Sequence, residues 1–255
     1  MPRPAGDVVD APLFSIVTVC RNAERSIGKA LDSVAGQQGA FGTFEHLVID
    51  GQSTDGTLRI VEQYPHVRVV SERDSGIYDA MNKGIAMSRG RYVAFLNADD
   101  WYEPHALETV AAALRTVPDA ALVHGDVRRW VGDRAVDVVK PSLDRGLHGT
   151  LVMPVNHPAT FTRRDVFSRV GTFDLAYRLF ADYDWARRVI RAGMPMHYCP
   201  AVLTNFAVGG LSTMRYAIGE RYRVFRANGA TVFAAARTVA YTCAVVFRNR
   251  LRVPA

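Results

Sequence analysis

The sequence predicts an α/β fold in which a mostly parallel sheet is flanked by helices, with a small antiparallel extension and C-terminal helices. Near-continuous runs of β-forming residues occur at 13–20 and 92–96, as in strands that are covered on both faces, and 44–49 is a further predicted strand. Between these runs, apolar residues follow helical spacing, and the connections are short and polar. This alternation of strand and helix predicts right-handed crossovers and a parallel sheet.

The other predicted elements keep this rhythm as far as residue 124 and then change it. Up to that point we expect strands at 67–70 and 120–124 and helices at 26–35, 58–61, 77–85 and from 103 onward. Residues 127–139 predict an antiparallel hairpin that turns at Gly132 and Asp133. A helix at 182–190 and a strand at 198–207 follow. The expected segments are a flexible lead-in at 1–12, two halves of one domain at 13–126 and 127–212, and a basic helical segment at 213–255.

Composition permits an anionic partner without pointing to nucleic acid. The chain has 255 residues, a formal net charge of +6 and three cysteines, which are far apart in the sequence. Their number and spacing indicate neither a zinc site nor a disulfide framework, and this favours a reducing cytoplasm. No apolar core of a secretory signal is seen in residues 1–11.

The C-terminal stretch is basic and partly apolar. Arginines are concentrated after residue 214, and residues 230–247 are apolar apart from Arg237 near their middle. A charge there is costly inside a bilayer, so a membrane span is disfavoured. Two interpretations stay open for this segment, a terminal helix packed on the domain and a helix docked on an anionic membrane at the inner face.

Acidic and amide side chains follow the predicted strands, where parallel sheets of this kind bind ligands. Asn22, Asp50 and Asp74 come after strands, and the apolar run 92–96 leads to Asp99 and Asp100. Two adjacent carboxylates repel each other unless a cation or hydrogen-bond donors intervene. Mg²⁺ or Mn²⁺ would neutralise them and bridge to a diphosphate. The alternative is that this pair merely caps the next helix.

Three further side chains are candidates for proton transfer. Asp182 and Asp184 lie in the first turn of a predicted helix, where acids also complement the helix dipole. A carboxylate within hydrogen-bond reach of an acceptor hydroxyl would act as a general base. His157 is a second candidate base on the acceptor side, although a single histidine in a loop is more often structural.

The ordered set of motifs resembles the family 2 glycosyltransferases of the GT-A fold, in particular bacterial enzymes that build surface polysaccharides and glycolipids. The matching segments are 15–22 (SIVTVCRN), 48–57 (VIDGQSTDGT), 74–84 (DSGIYDAMNKG), 95–100 (FLNADD), 157–161 (HPATF), 171–174 (GTFD), 181–184 (ADYD) and 205–212 (NFAVGGLS). The resemblance covers residues 14–212.

The resemblance implies a Rossmann-like GT-A domain and a role for each matching position. The nucleotide pocket would be lined by Val19, Arg21, Asn22 and Asp50, with Asn82 holding the loop nearby. Asp99 would contact the ribose and the metal, and Asp100 would bind the metal. Asp182 matches the catalytic base of inverting members, and His157 and Asp184 would lie toward the acceptor.

Two departures from the family pattern concern the same site. Many members have Asp-Asp-Gly where this chain has Asp50, Gly51 and Gln52, so a second acid that often contacts the base is missing. The catalytic motif is often Glu-Asp, whereas here Ala181 precedes Asp182.

The resemblance implies a metal-dependent, hexosyltransferase-like enzyme that moves a sugar from a nucleotide-sugar donor to a saccharide or lipid-linked acceptor. Transfer to polyprenyl phosphate and a non-catalytic nucleotide-binding module stay open as alternatives. A dinucleotide-dependent oxidoreductase is disfavoured, because the turn after the first strand, residues 20–25 (CRNAER), lacks the Gly-x-Gly-x-x-Gly pattern. A sugar nucleotidyltransferase is disfavoured too, because that turn is not rich in glycine.

Overall fold

A computed structural model describes residues 11–142, 153–209 and 218–232. Its nine described strands form one sheet in the order β3-β2-β1-β4-β8-β6-β9-β5, and β7 pairs with β6. The strands are β1 (Phe14–Cys20), β2 (Phe44–Asp50), β3 (Val67–Ser71), β4 (Tyr92–Asn97), β5 (Trp101–Tyr102), β6 (Leu122–Val131), β7 (Arg134–Val139), β8 (Thr160–Arg163) and β9 (Met196–Ala207).

The first four predicted strands and their parallel pairing are confirmed. β1 lies between β2 and β4, and β2 pairs with β3, all in parallel. Every residue of β1 is buried, including Ser15 and Thr18, which explains its near-continuous run of β-forming residues. Because the strands run the same way, their carboxyl ends meet along one edge of the sheet.

The second half of the sheet is mixed. β8 lies between β4 and β6 and is antiparallel to both. The predicted strand at 120–124 and the first arm of the hairpin are in fact one strand, β6, and the turn at Gly132 and Asp133 is confirmed. β8 is too short for the sequence to have indicated it. The antiparallel extension is therefore larger than expected.

Helices cover both faces of the sheet. The described helices are α1 (Ile27–Ala35), α2 (Thr57–Val61), α3 (Ile77–Met87), α4 (Ala106–Thr116), α5 (Asp165–Val170), α6 (Ala181–Arg191) and α7 (Ile218–Ala227). Apolar residues of α1 and α4 pack on one face, and those of α3, α5 and α6 pack on the other. The helix predicted from Asp182 is confirmed as α6.

The last described helix packs inward. Val224 and Phe225 of α7 are buried in a small cluster with Tyr183 of α6. Arg221 lies over the rings of Phe180 and Phe225, so this arginine is used for packing. In the described part of the chain, no helix has the length and apolar character that crossing a bilayer requires. Most of the predicted helix at 230–247 lies outside the described residues, and the segment boundaries stay predictions.

Candidate active site

The carboxyl ends of three neighbouring strands form a cleft. Cys20 of β1 pairs with Asp50 of β2, which pairs with Ser71 of β3, so the loops that follow these strands start at the same level. They enclose a cavity of about 600 Å³. Its lining residues are Arg21, Gly51, Gln52, Ser53, Thr54, Ser71, Arg73 and Asp74. Two arginines and several hydroxyl and amide groups make this a suitable environment for a polar anionic ligand.

Asn22 fastens the first loop to the second. Its backbone N–H donates to Ser53 Oγ at 2.7 Å, and its Oδ1 accepts the N–H of Thr54 at 2.8 Å. Asn22 and Gln52 have φ angles of 52° and 57°, in the left-handed region. Such conformations are uncommon outside glycine and are concentrated at functional sites. Beneath them, Val19 is buried and pairs with Asn97 of β4.

Asp50 shapes the cleft from below. Its side chain is buried, and its oxygens accept the N–H of Ser53 at 3.0 Å and the hydroxyl of Ser71 at 2.6 Å. The Cys20 thiol also donates to Asp50, at 3.6 Å, and burial raises the pKa of this thiol, so it stays protonated. These contacts support a role for Asp50 in holding two loops in place. A direct contact between Asp50 and a nucleotide has no support from this geometry.

Asp99 and Asp100 do not cap a helix, because β5 follows them and α4 begins only at Ala106. Asp100 is 1% exposed, and its two oxygens accept bonds from Asn97 Nδ2 at 3.1 Å and from the N–H of Ala207 at 3.0 Å. Burial, and next the charge of Asp99, raises the pKa of Asp100 well above its ordinary value. Burial also raises the pKa of Asp99.

Asp99 and Asp100 are suited to bind a divalent cation whose remaining ligands come from the substrate. Neither Asp99 nor Asp100 takes part in an ion pair with a described residue, so burial leaves both carboxylates short of positive charge. No group of three or more His, Cys, Asp or Glu side chains within the described ranges could hold a metal alone. Mg²⁺ typically binds one or two carboxylates together with substrate phosphates. Asp99 is the better available ligand, since both Asp100 oxygens already accept hydrogen bonds.

Asp182 is held by one of its two oxygens. Its Oδ1 accepts the hydroxyl of Tyr78, which lies on α3, at 2.9 Å and the N–H of Tyr183 at 2.8 Å. Its Oδ2 accepts no hydrogen bond from the described residues, and the side chain is half-buried. The pKa of Tyr78 is raised well above its ordinary value, because the phenol is buried and faces Asp182. Tyr78 therefore stays protonated and stays a hydrogen-bond donor.

His157 lies close to Asp182. Its ring stacks on Phe95 of β4, with centroids 5.5 Å apart, and lies edge-on to Phe173. Burial lowers the pKa of His157, and the charge of Asp182 counteracts this. The Nε2 atom is buried and has no hydrogen-bond partner among the described residues. His157 thus packs against Phe95 of the strand that leads to Asp99, and it lies near enough to Asp182 for the charge of that carboxylate to affect its pKa.

Asp184, which was predicted to lie toward the acceptor, bonds to Arg188 and Asn228 instead. It is 9% exposed, forms an ion pair with Arg188 at 2.8 Å and accepts Asn228 Nδ2 at 3.0 Å. These bonds join α6 to the end of α7, which supports a structural role for Asp184. An acceptor-side role has no support from this arrangement.

Asn82 holds a loop rather than lining the cleft. Its Nδ2 donates to the carbonyl of Phe173 at 2.9 Å, and its Oδ1 accepts the N–H of Phe173 at 3.0 Å. These two hydrogen bonds fix the ring of Phe173 against the rings of Phe95, His157 and Tyr78. The expectation that Asn82 holds a nearby loop agrees with this arrangement. Its direct contact with a nucleotide stays a prediction.

Two supporting residues escaped the sequence reasoning. Tyr78 fell among the apolar residues of α3, and nothing in the sequence signals its bond to Asp182, 104 positions away. Glu220 of α7 accepts the N–H groups of Arg178, Leu179 and Phe180, just before α6 begins. A lone acid in a basic stretch was the only available signal for Glu220. Tyr78 bonds directly to Asp182, and Glu220 fixes the backbone that leads into α6.

Comparison with known proteins decides the family. The family model described as "Glycosyl transferase family 2" matches residues 15–171, more than half of the chain. The chain belongs to glycosyl transferase family 2. The match contains the cleft loops and the Asp99–Asp100 pair, and it ends before Asp182.

Relatives and solved structures agree with this assignment. A "PGL/p-HBAD biosynthesis glycosyltransferase" of Mycobacterium tuberculosis is 37% identical over 79% of this chain and 80% of its own length. The chondroitin synthase of Escherichia coli is 27% identical over 79% of this chain and 30% of its own length.

Among solved structures, S. aureus TarS in complex with UDP-GlcNAc has a TM-score of 0.70 at 18% identity, covering 89% of this chain and 70% of that one. The mannosyltransferase PcManGT from Pyrobaculum calidifontis, in complex with GDP-Man and Mn²⁺, has a TM-score of 0.61 at 20% identity, covering 94% of this chain and 77% of that one. The family 2 chain thus has the GT-A fold, as the sequence predicted.

Proposed function

We propose that this family 2 glycosyltransferase transfers a sugar, with inversion, from a nucleoside-diphosphate sugar to a hydroxyl of a saccharide or glycolipid in cell-surface glycan synthesis. The cleft beside Arg21 and Arg73 binds the nucleotide, and Asp182 is the general base. The names of the mycobacterial relatives, which act in glycolipid biosynthesis, support the acceptor class. The neighbours in complex with UDP-GlcNAc and GDP-Man support the class of donor.

The observation that carries this proposal is the one-sided attachment of Asp182. Tyr78 and the backbone N–H of Tyr183 both donate to Oδ1. No described residue donates to Oδ2, which is therefore available to accept a proton. A base fixed in this way can be oriented before the acceptor arrives, and such orientation lowers the barrier to reaction. A single carboxylate suffices for inversion by direct displacement.

The reaction balances with one proton transfer. The acceptor oxygen attacks the anomeric carbon from the face opposite the diphosphate, and its proton moves to Asp182 Oδ2. The bond between the anomeric carbon and the diphosphate oxygen breaks, and the nucleoside diphosphate leaves with the electron pair. Asp99 and Asp100 would hold Mg²⁺ or Mn²⁺, which when bound offsets charge on the diphosphate.

Location follows from substrate chemistry rather than from an anchor. Nucleotide sugars are cytoplasmic metabolites, so we propose a cytoplasmic enzyme that meets a lipid-linked acceptor at the inner face of the membrane. Contact with anionic lipid rests on the arginines of the C-terminal stretch, most of which lie outside the described residues. Arg221 is half-buried and lies over the rings of Phe180 and Phe225, so we do not assign it to that surface.

The test is Asp182→Asn, assayed by release of nucleoside diphosphate from a panel of sugar nucleotides with hydroxyl acceptors. We expect turnover to fall by about a thousandfold or more, since the general base is lost, while binding of the nucleotide is retained. The matched control is Asp184→Asn, which neutralises the neighbouring carboxylate and should change stability more than chemistry.

The outcomes separate the candidate functions. Near-normal transfer by Asp182→Asn would exclude it as the base and would favour an acceptor that is already anionic, such as polyprenyl phosphate. Nucleotide binding without metal-stimulated turnover on any acceptor would favour a non-catalytic binding module.

A further inference from the structure

Asp74 places a carboxylate oxygen in the cleft without a partner. It lies in the turn between β3 and α3, and its Oδ1 accepts the N–H of Gly76 at 3.0 Å. The other oxygen, Oδ2, accepts no hydrogen bond from the described residues. The side chain is half-buried, and it lines the cavity. One half of the carboxylate therefore fixes the turn, and the other half is available to a ligand.

Gly51 leaves room for this oxygen. A Cβ atom built at Gly51 would lie 2.3 Å from Asp74 Oδ2 and 3.2 Å from Asp74 Cγ, closer than real contacts allow. The next nearest atom is Arg21 Cβ at 3.4 Å. Gly51 does not have a positive φ, so its backbone does not require glycine. The requirement is space, and the Asp74 carboxylate fills it.

The composition of the cleft limits what Asp74 can bind. Its carboxylate is the only one among the lining side chains, which otherwise are arginine, amide or hydroxyl groups. An ionised carboxylate accepts hydrogen bonds and repels phosphate. Its partner in a nucleotide must therefore be an N–H or O–H group away from the diphosphate.

We propose that Asp74 selects the nucleobase by accepting a ring N–H, and so favours uracil, thymine or guanine over cytosine and adenine. Uracil and thymine offer N3–H and guanine offers N1–H at the ring. The corresponding ring nitrogens of cytosine and adenine carry no hydrogen and repel a carboxylate, so these two bases can offer only their exocyclic amino groups. This inference rests on the proposed function, since it requires that the cleft bind a nucleoside diphosphate. The loop after β3 thus supplies, through Asp74, a carboxylate that the loop after β2 lacks, because Gly51 stands at that position.

The test measures binding of UDP, TDP, GDP, CDP and ADP to the full chain by calorimetry in the presence of Mg²⁺ or Mn²⁺. We expect the wild-type protein to bind at least one nucleotide with a ring N–H about tenfold to a hundredfold more tightly than CDP and ADP, as for a hydrogen bond to a charged group. Asp74→Asn should reduce this preference at least about tenfold, because a carboxamide can donate to the ring nitrogen of cytosine.

The matched control is Glu72→Gln. It removes one negative charge from the same turn, but Glu72 pairs with Lys83 at 2.9 Å and does not line the cavity. It should leave the order of nucleotide affinities unchanged. If Glu72→Gln lost the preference as much as Asp74→Asn does, general charge rather than a contact would be responsible, and the inference would be overturned.

A second variant pair tests the shared space. Asp74→Ala should lose the base preference, and Gly51→Asp in that background should restore part of it, since the obstructing atoms are gone. Gly51→Asp alone should weaken binding of every nucleotide. If the two changes were simply additive, without rescue, the argument from shared space would be wrong.

The remaining outcomes are equally distinct. If Asp74→Asn weakened all five nucleotides equally, the contact would be to ribose, and base selection would be wrong. If it bound all five with wild-type affinities, Asp74 would have no role in recognition. If the wild-type protein bound no nucleoside diphosphate, the proposed function itself would fail, and this inference with it.

Discussion

Replacing Tyr78 by phenylalanine removes a single oxygen atom and tests whether α3 orients Asp182, the proposed base. The hydroxyl lies 2.9 Å from Asp182 Oδ1, and the Tyr78 side chain is 7% exposed. In Tyr78→Phe the ring still packs against Phe173, so the change to the core is small. Asp182 would keep only the N–H of Tyr183 among its described donors.

The size of the effect follows from the kind of bond removed. Hydrogen bonds to charged groups contribute about 1.5–3 kcal/mol, and each 1.4 kcal/mol of barrier is about tenfold in rate. We therefore expect kcat to fall by about tenfold to a hundredfold. KM for the nucleotide sugar should change little, because Tyr78 does not line the cleft.

The melting temperature gives a second readout. A purely structural defect would lower both the melting temperature and the amount of active enzyme. Loss of the orienting hydrogen bond alone would lower kcat in a protein that is still folded.

Tyr64→Phe is the matched control. Its hydroxyl donates to Asp32 at 2.7 Å, so the same group is removed from the same kind of bond between α1 and the end of α2. This variant should keep wild-type kcat. The assay is nucleoside diphosphate release at saturating donor, with melting temperatures measured for each variant. A folded Tyr78→Phe enzyme with unchanged kcat would refute the claim that Tyr78 positions the proposed base.

Two further predictions concern the cation and buried charge. Chelation of divalent ions, or Asp99→Asn, should reduce turnover by about tenfold or more. Excess Mn²⁺ should rescue the chelated enzyme but not the variant. Full activity in chelator would contradict the metal assignment of Asp99 and Asp100. His124 is 0% exposed, neither ring nitrogen bonds to a described residue, and burial, with a smaller effect of His197, lowers its pKa from 6.5 to about 4. The neutral form is thus favoured in the folded state, and stability present above pH 6.5 should be lost as the pH falls toward about 4, by up to about 3 kcal/mol. His124→Phe should weaken the dependence of melting temperature on pH in this range, whereas His105→Gln, at an exposed histidine, should leave it unchanged. If melting temperature fell equally with pH in all three proteins, His124 would not be the cause of the lost stability.

The sequence was sufficient for the parts of the fold that local patterns encode. β1 and β4 are buried on both faces, so their composition alone indicates central strands. Short connections between strand and helix then leave little choice but parallel pairing. β8 was not predictable in this way, because four residues carry too little periodicity to be distinguished from a loop. Its position between β4 and β6 is set by long-range pairing.

For the site, the sequence located the candidates but not the partners of their side chains. Strand ends indicated Asp50, Asp99 and Asp100 because the carboxyl edge of a parallel sheet is a common binding place. Which oxygens are free depends on bonds between distant residues, such as Asp50 to Ser71. Asp184 shows the same limit, because its partner Asn228 lies on a separate helix.

Helix α3 ties together functions that a protein engineer would wish to vary separately. The turn with Asp74 precedes its first residue, Tyr78 contacts Asp182 from its first turn, and Asn82 clamps Phe173 from its middle. Grafting a relative's loop to change the accepted nucleotide would therefore also shift Asp182, the residue proposed to activate the acceptor. A workable exchange has to carry the whole helix with its two anchoring side chains, so that the new specificity arrives with a correctly seated proton acceptor.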